Sequence, residues 1–400
     1  MLPPLKIVRA GLRRTTEALA TELAQAPGGA APSWSDLEWQ LAAAAAAAHG
    51  VSPLLCRLSS WQHPAWRRFL HGQREHVEHR HRRIAALLKR IDAGAYAAGV
   101  PVVALKGSAL HAIGLYVAGD RPMADIDLLV REHDAAATVG LLHDLGYVES
   151  FVQWKHRVFK PVAGEPVAGL GEHRDTPVNI ELHTRIQERL PVSTVDITER
   201  IHPRAPRAGL NDYPSIGALM SHLLLHAAGN MCGRSLRLLH LNDISLLAAR
   251  MGTDDWNVLW DGPAGDAPWW ALPPLRMVAR YYRGAVPDAV LARLERACPA
   301  LLRAVSRRQT LTRVSCSELW LHALAGLEWS RSAHDVGHYI RNRVRPSREA
   351  IAERADMVRT QLYLRGQHWV TASHGRRVLT WLTRPVPRMD ILYAVRAALE

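Results

Sequence analysis

The sequence predicts an α+β protein, with a small mixed-sheet core flanked by N-terminal and C-terminal helical regions. Three observations predict it. Apolar residues recur at helical spacing through the first hundred residues. Beyond Gly99 the pattern changes to short β-branched runs bounded by glycine and proline, which read as strands. From about Pro214 the helical spacing returns and continues to Leu399. The boundaries expected from these changes are a helical segment at 1–95, an α/β core at 96–210 and an all-helical region at 211–400. A chain of 400 residues is also long for one ordinary core.

Each element has its own signal. Ser35 is an N-cap followed by Asp36 and Glu38, and the Ala-rich run Leu41 to Ala48 stops at His49-Gly50. A long helix is expected from about Pro64, its inner face marked by Val77, Ile84, Leu88 and Ile91. The residues between them (His76, His79, Arg80, His81, Arg82 and Arg83) are expected on the solvated side. His79 and His81, two apart on a helix, do not face each other and make no metal pair. Val100 to Leu105 reads as a buried strand, followed by Lys106-Gly107-Ser108 and an apolar helix from Ala109 to Tyr116. A second strand is expected at Asp125 to Val130, then a helix from Asp134 to Leu145 ended by Gly146. Strands at Tyr147 to Gln153, Arg157 to Val162 and Val178 to His183 complete the core. Helices follow at Ile216 to Ala228 and Leu236 to Ala249.

Composition narrows the function classes. Hydrophobic residues make up 48%, and no run of about 18 apolar residues is present, so a membrane-spanning helix is not expected. Cys56, Cys232, Cys298 and Cys316 are scattered without a C-x-x-C pair, so neither a zinc site nor a disulfide framework is signalled. With no signal-peptide pattern after Met1, the cytoplasm is the expected location. The formal net charge is +13 and the pI about 10.1, which suits polyanionic partners. Only five of the 50 basic residues are lysine, so a general bias towards Arg and Ala codons accounts for the charge equally well.

The stretch that carries chemistry is Leu105-Lys106-Gly107-Ser108, then Asp125-Ile126-Asp127-Leu128-Leu129-Val130. Side chains alternate along a strand, so Asp125 and Asp127 share one face while Ile126 enters the core. Two carboxylates side by side repel each other and favour a divalent cation, the arrangement that phosphoryl transfer uses. A hydrophobic strand that begins with two charges on one face is locally wasteful unless something binds there. Glu181, on the expected strand Val178 to His183, is the candidate third carboxylate. Gly107 and Ser108 sit where a strand turns into a helix, a place where backbone amides can cradle phosphate.

These motifs resemble the polymerase-β-like nucleotidyltransferase superfamily. More closely, Val102 to Leu110 and Arg121-Pro122-Met123-Ala124-Asp125-Ile126-Asp127-Leu128-Leu129-Val130 are similar to the bacterial uncharacterised nucleotidyltransferase family. The likeness extends to Leu145-Gly146-Tyr147, to Ile180-Glu181-Leu182-His183 and to Leu236 through Ile244, and covers roughly residues 80 to 260. The resemblance implies a nucleotidyltransferase core that uses Mg²⁺ (or Mn²⁺) and a nucleoside triphosphate. Asp125, Asp127 and Glu181 would then be both the catalytic and the metal-binding residues. The third acid in that family is usually aspartate, and the longer Glu181 departs from the pattern.

Around this core several residues have more than one reading. Lys106 can contact a triphosphate, pair with an aspartate or reach solvent from a strand end. Arg121 can neutralise phosphate charge or decorate a loop. His183, on the face of Glu181, can orient it, contact substrate or serve a structural hydrogen bond. His222, His226 and His240 are expected to pack between helices, with Arg237 and Asp243 as substrate-side or interdomain contacts. Asp196, Trp256, Trp260, Trp269 and Trp270 are expected in turns and core. Between Arg331 and Met389 twelve arginines face four acids, interleaved with Tyr339, Tyr363, Trp369 and Trp381. That stretch reads as a solvated helical exterior, or as a contact for RNA or an anionic membrane surface. The expected activity is transfer of a nucleoside monophosphate from a triphosphate to a small molecule, a peptide or protein, or an RNA end. The competing readings are a non-catalytic binding protein that keeps the fold, and a basic RNA-binding protein.

Overall fold

Ser35 opens a helix as its context predicts: its hydroxyl accepts from the Glu38 amide, and the Glu38 carboxylate accepts from the Ser35 amide. The computed structural model that shows this describes residues 2–25, 31–165, 167–262, 267–364 and 372–400. Four helices come first: α1 (Leu5–Ala24), α2 (Asp36–Ala48), α3 (Ser52–Leu58) and α4 (Pro64–Ala97). The core then runs β1 (Pro101–Ala104), α5 (Gly107–Ala112), β2 (Asp125–Leu129), α6 (Ala135–Asp144), β3 (Tyr147–Val152), β4 (Arg157–Pro161) and β5 (Asn179–His183). A hairpin of β6 (Gln187–Leu190) and β7 (Ser193–Asp196), a short α7 (Thr198–Ile201) and β8 (Gly209–Asn211) follow. Helices α8 (Ile216–Cys232) and α9 (Leu238–Ala248) begin the largely helical remainder, which ends in Met389–Leu399.

The sheet is mixed, in the order β3-β4-β5-β2-β1-β8. Strand β2 pairs antiparallel with β1 and parallel with β5, so the two acid-bearing strands are central neighbours. Alternation then sorts the residues. Ile126, Leu128, Val130, Ile180 and Leu182 face a core built with Phe159, Leu142 of α6 and the C-terminal half of α4. On the other face, Val103, Leu105 and Leu129 join a larger core made with α1 to α3, α8, α9 and the C-terminal helices. Helix α4 supplies Trp66 and Leu70 to one core and Ile84 and Ile91 to the other, so it ties the helical wall to the sheet.

One expectation on α4 fails. Arg80, expected on the solvated side, is 2% exposed. Its guanidinium donates to the carbonyls of Met123 (3.0 Å) and Ala124 (3.2 Å), just before β2, and of Thr176 (2.6 Å), shortly before β5. It also pairs with Glu172 at 3.2 Å. A helical position was legible at Arg80; the carbonyls waiting on the chain's later loops were not. Among the described residues no single helix is long and apolar enough to cross a membrane. The arginines at 341, 343, 345 and 348 are exposed, at the end of one helix and the start of the next. Trp369 lies outside the described residues.

Candidate active site

Asp125 and Asp127 start β2, and the parallel register sets Asp125 beside Asn179 and Asp127 beside Glu181. Paired residues point to the same side of a sheet, so all three carboxylates share the face opposite the Ile126 core. That face forms the floor of a cavity of about 570 Å³. Lys106, Gly107, Ser108 and Arg121 border the same cavity, so the seven residues singled out in the sequence are brought together.

Of its readings, Lys106 takes the ion pair: its Nζ lies 2.7 Å from Asp127 Oδ1. The backbone there has φ +45°, a left-handed conformation that a non-glycine residue adopts at a cost. The Lys106 amide donates to the Tyr213 hydroxyl, which is itself 2.7 Å from His222 Nδ1. Burial disfavours the ammonium, but Asp127, Glu181 and Asp125 outweigh it and raise the Lys106 pKa. Burial alone would likewise raise the Asp127 carboxyl. Lys106 and the hydrogen bond from His183 instead hold it well below the usual carboxylate range.

Among the described residues no hydrogen bond or ion pair is seen to Asp125, and Lys106 and Arg237 act on it only from a distance. Burial, then the neighbouring Asp127 and Glu181 carboxylates, push its pKa up to about 7. Three carboxylates against the one ammonium of Lys106 leave the floor short of positive charge. An all-oxygen set with excess negative charge suits a hard divalent cation, so the residues present fit such an ion.

His183 Nε2 donates to Asp127 Oδ1 at 3.1 Å and lies 3.7 Å from Glu181 Oε2. Burial works against its charged form, while the hydrogen bond to Asp127 and the nearby Glu181 carboxylate raise its pKa. His156 escaped sequence reasoning altogether. It lies in the turn between β3 and β4, and only the antiparallel pairing of β4 with β5 brings it to Glu181, with Nδ1 3.4 Å from Oε2. Burial lowers its pKa to about 4. No motif in the sequence marks it.

Gly107 and Arg121 have packing reasons for their identities. A Cβ on Gly107 would meet Arg121 Nη1 at 2.4 Å and Met123 Sδ at 2.8 Å. Arg121 is buried, and its Nε and Nη2 donate to the two Asp243 oxygens at 2.9 and 2.7 Å. The Tyr116 hydroxyl donates to Asp243 Oδ1 at 2.7 Å and accepts from Asn242. The sequence reading offered Arg121 for phosphate charge and Asp243 for interdomain contact. The structure engages both in one bidentate pair joining the β2 approach to α9. Ser108 is buried at the cavity edge.

The facing wall comes from α8 and α9. His222, His226 and His240 border the cavity, and burial holds all three imidazoles well below their usual pKa. The His226 and His240 rings meet edge-on with centroids 5.0 Å apart. The expectation of packing histidines therefore holds, with the addition that their packing surface is a cavity wall. Arg185 and Arg237 are exposed at the cavity and Arg388 also borders it. Trp256, Trp269 and Trp270 are buried in the helical core, and Asp196 accepts from the Thr198 amide in a turn.

No curated protein and no solved structure shows a significant match to the chain. Residues 35–263, more than half of the chain, match the family model described as Uncharacterised nucleotidyltransferase. That span runs from α2 to beyond the short helix Thr253–Asn257 that follows α9, and contains every residue of the carboxylate floor. Family membership implies nucleotidyl transfer from a nucleotide triphosphate. A mixed sheet that aligns Asp125, Asp127 and Glu181 on one face agrees with it, and the chain belongs to the uncharacterised nucleotidyltransferase family.

Proposed function

We propose that the protein transfers a nucleoside monophosphate from a triphosphate to an acceptor hydroxyl with a divalent cation, Mg²⁺ or Mn²⁺, held by Asp125, Asp127 and Glu181. The observation that carries this reading is the convergence of those three carboxylates on one sheet face, with a single ammonium among them. The acceptor hydroxyl gives its proton to solvent as its oxygen bonds to the α-phosphorus, the bond from that phosphorus to the α–β bridging oxygen breaks, and pyrophosphate leaves with that electron pair. A bound divalent cation supplies charge neutralisation to the phosphates and lowers the pKa of the attacking hydroxyl. Lys106 holds Asp127 ionised, and Arg80 fixes the backbone that enters β2. Gly107 and Ser108 edge the cavity where the triphosphate would lie, with Arg185 and Arg237 as cationic groups near its rim. The acceptor class is a small molecule, a peptide or protein, or an RNA end.

The test uses each labelled triphosphate with Mg²⁺ and fractions of a cell lysate. Wild-type protein should transfer label, and Glu181→Gln should lower turnover by orders of magnitude while triphosphate binding stays nearly unchanged. Triphosphate binding with no transfer to any fraction would favour the non-catalytic binding protein instead.

A further inference from the structure

On the Glu181 edge of the floor, three atoms able to ligate a metal converge. His156 Nδ1 and His183 Nε2 lie 3.4 and 3.7 Å from the same oxygen, Glu181 Oε2. All three donor atoms fall within 4.8 Å of one another. Ordinary N–H···O bonds span about 2.7–3.2 Å, so both separations are too long for good ones. Ligand atoms bound at about 2.1 Å around a tetrahedral ion lie about 3.4 Å apart, close to what is observed. The His156 side chain is only 10% exposed, and its Nδ1 is buried without a hydrogen-bond partner among the described residues. A buried ring nitrogen in that state is costly unless something binds it. The two rings stand edge to face with centroids 4.9 Å apart.

We propose that His156, Glu181 and His183 form a transition-metal site that takes an ion of the Zn²⁺ or Co²⁺ class in preference to Mg²⁺. Two imidazoles and one carboxylate leave a fourth position open, the donor pattern of reactive zinc sites. Mg²⁺ prefers oxygen ligands in an octahedron, whereas imidazole nitrogen favours the later transition ions. An ion bound at His183 Nε2 would displace the proton that this nitrogen now shares with Asp127 Oδ1, 3.1 Å away, and release it to solvent. As a metal site the proposal stands on these side chains. As a statement about catalysis, giving the Glu181 position an ion class of its own, it rests on the nucleotidyl-transfer reading.

The experiment titrates metal-stripped full-length protein with Co²⁺ alone, without nucleotide, and follows visible absorption. The expected result is an intense band of low-coordinate Co²⁺, one ion per chain, that survives a large excess of Mg²⁺. His156→Ala should weaken Co²⁺ binding by more than about 100-fold, beyond a typical outer-shell change. Asp125→Asn should keep the band. Circular dichroism checks the fold of each variant, and His156→Gln replaces His156→Ala if the latter is unfolded. A wild-type protein without the band, a band displaced by Mg²⁺, or a band unchanged in the folded His156 variant would overturn the proposal. Mg²⁺-dependent label transfer without Co²⁺ binding would sink this site and leave the function standing. A normal Co²⁺ band without transfer would do the reverse.

Discussion

Replacing Asp125 by Asn removes a charge from the carboxylate floor with almost no change of shape. In the folded protein, burial and the Asp127 and Glu181 carboxylates raise the Asp125 pKa from 3.8 to about 7. Below about pH 4 the carboxyl is protonated in both folded and unfolded chains, and the substitution should be neutral. Between there and pH 7 the folded state binds the extra proton, so wild-type stability falls as pH rises. Above pH 7 the full cost is present, at most about 4 kcal/mol for a shift of about three units. An unfolding entropy near 0.8 kcal/mol/K for 400 residues turns this into a melting difference of at most about 5 °C. Scanning calorimetry at pH 8 with EDTA should therefore find Asp125→Asn the more stable protein, and at pH 4 the two should coincide. Mg²⁺ or Mn²⁺ with triphosphate should reverse the order at pH 8, because the ion stabilises only the chain that binds it well. Equal melting at pH 8 without metal would refute the electrostatic account of the floor. A wild type indifferent to both ions would refute its role as their site.

Three further outcomes follow from named contacts. Asp243→Ala leaves the buried Arg121 guanidinium unpaired and should cost about 3–5 kcal/mol in chemical denaturation. The double change Arg121→Met with Asp243→Leu should recover most of that. Arg80→Met removes the guanidinium donor from the Met123 and Ala124 carbonyls and the nearer of two donors from Thr176, at about 1–3 kcal/mol. Hydrogen exchange should then quicken across Asp125–Leu129 ahead of the other strands. Replacing Arg341, Arg343, Arg345 and Arg348 by Gln should flatten the salt dependence of RNA binding, whose log–log slope is about −0.7 per single-strand phosphate contacted. Should the partner be an anionic vesicle, adhesion weakens instead. Wild-type protein that binds neither at low salt would mark these arginines as plain solvated surface.

Local chemistry made much of this protein legible in its sequence. The Ser35 capping box, the β-branched run at Val100 to Leu105 and the Asp125-Ile126-Asp127 alternation each depend on residues within a few positions. Their elements appear where the residues place them. That the two aspartates share a face was also legible, because strand alternation alone decides where Asp125 and Asp127 point. The β6–β7 hairpin and β8 were not anticipated: four- and three-residue strands carry too little pattern to be told from loop. Arg80 looked like one more charge on a basic helix face, and its burial depends on carbonyls more than forty residues later. Pairing across the sheet set Glu181 beside Asp127, brought His156 from an unremarkable turn to that same carboxylate, and left Asp125 dominated by burial and its two carboxylate neighbours. Sequence determined which side chains could act, since period and local hydrogen bonding are properties of neighbours along the chain. Tertiary structure alone decided which charges neutralise one another, because electrostatic energy depends on distance and burial, and these are set only when separate strands and helices meet.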